Sequence, residues 1–127
     1  MYSDPSISEL IASVQNFIND TASPNLEGHA KFQARIASNV LAIVLRELEQ
    51  RPRAEAAEIE RLQELLNNDS ATDTAALNRE LSARIASSDM HLVTPGLLNH
   101  LKKTAIAQLH IDQPKYSGLK TAEEGPK

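Results

Sequence analysis

Apolar residues recur at helical spacing in stretches separated by prolines at 5, 24, 52, 95 and 114. Because no proline falls inside a periodic stretch, the pattern predicts five helices. The first opens with Ser6-Ile7-Ser8-Glu9, a capping-box spacing in which the serine hydroxyl and the glutamate each satisfy an orphan backbone donor. Its core stripe would be Ile7, Leu10, Ile11, Val14, Phe17 and Ile18. The opposite face, Ala12, Ser13, Gln15, Asn16 and Asn19, is polar yet uncharged, which is either chance or a sign of partial cover by a neighbour. Thr21 to Asn25, with Pro24, reads as a loop.

The second helix, from about Glu27 to Gln50, contains six consecutive apolar residues, Val40-Leu41-Ala42-Ile43-Val44-Leu45. At 100° per residue its apolar positions spread over roughly 220°, far wider than the stripe of a surface helix. Other helices, or another subunit, are therefore expected to wrap it. Pro52 should end or turn it. A third helix follows from about Arg53 to Asn67, with Ala56, Ile59, Leu62, Leu65 and Leu66 facing in and Glu55, Glu58, Glu60 and Glu64 facing water. Asn67-Asn68-Asp69-Ser70 is turn chemistry. The fourth helix, about Thr74 to Ala86, has a stripe of Leu77, Leu81 and Ile85 and a favourable Glu80–Arg84 pair. Thr94-Pro95 predicts an N-cap and first-turn proline for a fifth helix reaching about Ile111, with Leu97, Leu98, Leu101, Ala105 and Leu109 inside. Ser117 to Lys127 is polar and aperiodic, and reads as a flexible tail after a single helical domain over residues 1–116.

Composition agrees with an all-α, five-helix bundle: the 127 residues are 41% hydrophobic but only 3% aromatic, with four glycines. The length suits one core without staples. Absence of cysteine removes disulfides, thiolate metal sites and cysteine nucleophiles together. No signal-peptide pattern opens the chain and no apolar run is long enough to span a bilayer, so a cytoplasmic protein is expected. A formal charge of −4 and few aromatics offer neither the basic field nor the stacking surface of a nucleic-acid binder.

The chemistry-bearing residues are sparse. Gly28, Gly96, Gly118 and Gly125 stand too far apart for a phosphate-cradling loop, and no Gly-x-Ser-x-Gly exists. His29, His91, His100 and His110 lack the Glu-x-x-His or His-x-x-x-His spacing that projects two ligands from one helix face, so they read as surface histidines and no metal or cofactor is expected. One combination stands out. Arg35, Asn39 and Arg46 fall within about 40° on the second helix, beside Phe32 and Ile43. Such a stripe can bind an anion, dock a partner, or satisfy carbonyls at a neighbouring helix end.

Leu26-Glu27-Gly28, the run Arg35 to Val44, Arg46-Glu47-Leu48, Leu77-Asn78 with Glu80-Leu81 and Ile85, His100-Leu101 and Pro114-Lys115-Tyr116 together resemble a small bacterial family of unknown function. The resemblance covers about Ser6 to Tyr116. It implies a protein encoded beside aminoglycoside-phosphotransferase-like kinases and acyl-CoA dehydrogenases, and carries over no catalytic residue. The expected function is a non-catalytic accessory partner of such an enzyme, with Arg35, Asn39 and Arg46 as candidate contacts. The alternative is a small helical carrier of an acyl or other apolar anionic ligand. The broad apolar girth of the second helix adds the expectation of a homodimer.

Overall fold

The computed structural model describes residues 5–124. They form five α-helices: α1 (Ile7–Phe17), α2 (Gly28–Leu66), α3 (Thr74–Ala86), α4 (Leu97–Asp112) and α5 (Ser117–Glu124). A π-helical turn (Ile18–Ala22) and a 3-10 turn (Ser23–Asn25) follow α1. The fold is all-α with a long second helix, as the periodicity predicts, but the five helices are not the five expected. The second and third expected helices are one continuous element, α2, with Pro52 inside it. Proline removes one backbone donor and crowds the carbonyl four residues earlier, at a cost of about 3 kcal/mol. Strong helix formers on both sides, Arg46 to Gln50 and Arg53 to Ala57, carry the helix past that defect.

The fifth element comes from the expected tail. Ser117–Glu124 is helical and buries Leu119, while residues 125–127 lie outside the described residues. α4 also begins later than expected. The Thr94 hydroxyl accepts from the His91 N–H at 2.9 Å and so serves the preceding turn. Gly96, at φ +87°, takes the N-cap position without a side-chain cap.

The chain divides at Gln50 and Arg51, beside Pro52, into two compact units. Residues 1–116, read above as one domain, thus contribute to both. In the first unit, α1 lies antiparallel to the N-terminal part of α2. Its capping box is present: Glu9 N–H donates to Ser6 Oγ at 3.1 Å, and Ser6 N–H to Glu9 Oε1 at 3.2 Å. Gln15 Nε2 donates to the Ser38 carbonyl at 3.1 Å, and Ser8 and Ala12 face Leu45 and Glu49. The side of α1 that meets α2 therefore runs through Ile11, Ala12, Gln15 and Ile18, all half-buried, while Ser13, Asn16 and Asn19 of the uncharged polar face are exposed. The expected core stripe is not a core: Ile11 and Ile18 are half-buried, but Ile7, Leu10, Val14 and Phe17 are exposed. Nor is the apolar run of α2 wrapped all round, since Val40 and Val44 remain exposed. Ser38 is the one buried residue among the described residues of this unit.

The second unit has a core. Leu62 and Leu66 of α2, Leu77 and Leu81 of α3, Met90, and Leu97 of α4 form a buried cluster, with Ile59, Leu65 and Ala71 packed against it. Leu62 and Leu66 were expected inside, and periodicity also identifies Leu77 and Leu81. Ile85 is exposed. The turn after α2 is built as its residues predict: Asn67 takes φ 53°, and Asn68 Oδ1 accepts from the backbone of Ser70 and Ala71, both at 3.3 Å. Arg84 pairs with Glu80 and donates to the Leu66 carbonyl at 3.0 Å, closing the C-terminal end of α2. Glu55, exposed as expected, accepts from Thr74 Oγ1 at 2.7 Å, and Glu58, half-buried rather than solvated, from Asn78 Nδ2 at 3.1 Å, so both tie α2 to α3.

Candidate functional site

Two regions carry polar side chains in arrangements beyond ordinary solvation, one in each unit. In the first, Arg35 and Asn39 stand exposed on α2 and Arg46 is half-buried. Among the described residues, Arg35 and Asn39 make no hydrogen bond or ion pair; Arg46 is engaged. Four-residue steps along the same helix carry an exposed apolar stripe, Phe32, Ile36, Val40, Val44 and Leu48. The Arg–Asn pair borders that stripe at its Phe32 end.

The second region was misread from sequence. His100 is not a surface residue: it is only 3% exposed. The inner face of α4 runs through Leu97, His100, Thr104 and Ile111, while Leu98 and Leu101, expected inside, are exposed. Arg61 of α2 meets that face. Its Nε donates to His100 Nδ1 at 3.1 Å and its Nη2 to Thr104 Oγ1 at 3.0 Å, two bonds that fix a polar strip of α4 against α2. Since Nδ1 accepts, the neutral imidazole carries its proton on Nε2. Burial pushes the His100 pKa below the ordinary 6.5, the Arg61 charge lowers it further, and Glu58 partly opposes both. The signal in the sequence was the i, i+4 spacing of His100 and Thr104, with Arg61 set between Glu60 and Glu64 on α2. It is weak, because leucines outnumber polar residues on the competing face.

Beside this pair is a cavity of about 370 Å³, lined by Arg61, Glu64 and Leu65 of α2 and by Pro95, Gly96, Asn99, His100 and Lys103 at the start of α4. None of Arg35, Asn39 and Arg46 lines it. The cavity combines a guanidinium, an ammonium and one carboxylate, without an aligned nucleophile and base. Of the other histidines, His110 Nε2 lies 3.0 Å from Glu123 Oε2, joining α4 to α5, and His29 stacks on Phe32 with ring centroids 6.3 Å apart. Among the described residues no group of three or more His, Asp or Glu converges as metal ligands would. No described helix is long and apolar enough to cross a membrane.

No curated protein and no solved structure is significantly similar to this chain. The residues quoted for the family resemblance lie from Leu26 to Tyr116, across the N-terminal part of α2, the core helix α3 and the buried His100. A family model covers residues 24–116, so α1, included in the expected coverage from about Ser6, lies outside it, and on that match the chain belongs to the family described as Domain of unknown function (DUF6285).

Proposed function

We propose that this chain is a non-catalytic helical binding protein, an accessory partner of a phosphotransferase-like or acyl-CoA-metabolising enzyme. Arg35, Asn39 and Arg46 form its polar contact. The observation supporting this reading is the exposure of Arg35 and Asn39, free of hydrogen-bond partners among the described residues, at the edge of an apolar stripe. An arginine fork can pair with a partner's carboxylate while its stem covers apolar surface, the combination found at interface anchors. The enzyme classes come from the resemblance, which implies such genes as neighbours. Co-purification with the neighbouring kinase-like and dehydrogenase products tests the reading. Arg35→Ala and Asn39→Ala should weaken capture about tenfold or more with little change in melting temperature, since neither side chain serves the fold. Absence of association, or lost stability without selective loss of binding, would reject it.

A second reading, a carrier of a small anionic ligand, is favoured by the cavity beside His100 and Lys103. Its anionic head would meet Arg61 and Lys103, rather than Arg35 and Arg46. Calorimetric titration with short acyl carboxylates would show binding that Lys103→Ala weakens; no heat at millimolar ligand would dismiss it.

A further inference from the structure

The apolar residues of the first unit are at most half-buried among those described. Among its described residues no apolar side chain is buried, yet nine large ones stand 36–65% exposed: Ile7, Leu10, Val14 and Phe17 on α1, and the five-residue stripe on α2. With Gln15 placed on Ser38, successive rotations of about 100° per residue bring the α1 stripe and Val40, Val44 and Leu48 to the same side of the antiparallel hairpin. Phe32 and Ile36 continue the stripe around α2. We propose that a second copy of this chain covers that side, two hairpins closing by a two-fold axis into a four-helix bundle.

Three features favour a second copy over another occupant. The seven side chains on that side expose on the order of 600–700 Å² per copy, within the share one partner contributes to an interface of ordinary size. Two helices with apolar faces on one side require two more to enclose a core, and a second hairpin supplies them with the same width and length. The surface is also nearly uncharged: α1 carries a single ionisable residue, Glu9, and the α2 stripe none. It calls for an apolar partner rather than a basic or acidic one, and its own copy presents such a face at equal concentration. This assembly stands apart from the enzyme-partner reading, because it uses the apolar side and leaves the Arg35–Asn39 border to its edge.

The test is the mass of the full chain by sedimentation and light scattering from about 1 to 200 µM. Twice the 13.9 kDa chain mass is expected, dissociating on dilution. Val40→Ala, a truncation at an exposed position, should raise the dissociation constant about tenfold. Val40→Glu should leave a monomer, and circular dichroism reports whether its helices persist. Leu101→Glu, at an exposed apolar position of α4, should leave the dimer intact. A wild-type monomer at 200 µM would overturn the proposal whatever the variants do. So would a dimer indifferent to Val40→Ala, or one broken by Leu101→Glu instead. Loss of enzyme capture in Arg35→Ala with the dimer retained separates the two readings.

Discussion

The two units use similar leucine-, isoleucine- and alanine-rich helices to different ends. In the second, Leu62, Leu66, Leu77 and Ile111 are almost wholly removed from water, and polar bonds from Arg61, Glu58 and Arg84 fix each helix against its neighbour. In the first, Gln15 bonds α1 to α2, and Phe17, Leu10, Phe32 and Val40 of these helices stand exposed. Both stripes are amphipathic, so amphipathicity alone does not say whether a face is covered from within the chain. The number of helices available to each unit decides it. Three turns of α1 can cover only one side of α2, whereas α3 and α4 both pack on its C-terminal part and α5 packs on α4.

The contrast breaks most readily in the core. Leu62→Ala or Leu66→Ala should destabilise the second unit by about 2–5 kcal/mol, because both transfer energy and cavity formation oppose the change. Leu10→Ala, in the first unit, should cost less than about 0.5 kcal/mol in dilute monomer and more as the dimer fills. Urea melts at two protein concentrations check both. A similar large, concentration-independent loss at Leu10 would erase the distinction.

Arg61→Ala should lower stability by about 1–3 kcal/mol, since it leaves buried His100 Nδ1 without its donor. A melt unchanged by this substitution would show that the polar strip does not set the orientation of α4. His100 itself gives a pH signature. Its folded pKa is depressed below 6.5, so on acidification the unfolded chain takes up a proton first. Its contribution is fully present above pH 6.5 and is lost as pH falls toward the lowered folded value. His100→Asn, which keeps an acceptor near the Nδ1 position, should flatten that part of the stability profile. An unchanged slope would assign it to other groups.

The most local effect concerns the capping box. Ser6→Ala should cost about 0.5–2 kcal/mol, with fraying confined to α1, as amide exchange in that helix would show.

Much of this fold was legible in the sequence because its determinants are local. The capping box, the Asn68 turn and the leucines of α2 and α3 each follow from spacing within a few residues. Pro52 was misjudged because a proline's cost is fixed while the support of flanking helix formers is cumulative. The α4 face was misjudged because five leucine and alanine positions outweigh one histidine on paper, whereas Arg61, 39 residues away, meets the histidine in space. Leu119 was lost to a tail because one leucine among polar residues has no period. The Arg35, Asn39 and Arg46 stripe was legible as a cluster. That Arg46 is half-buried and engaged while its companions are exposed depends on tertiary packing.

The central claim is that the first unit acquires its core from a second copy. Amide hydrogen exchange of the wild-type chain, at concentrations well above and well below the dissociation midpoint, tests it most directly. Protection across Ile7–Phe17 and residues 28–50 should rise with concentration, while the amides of α3 and the C-terminal part of α2 stay unchanged. Equal protection of the first unit at both concentrations would contradict the account.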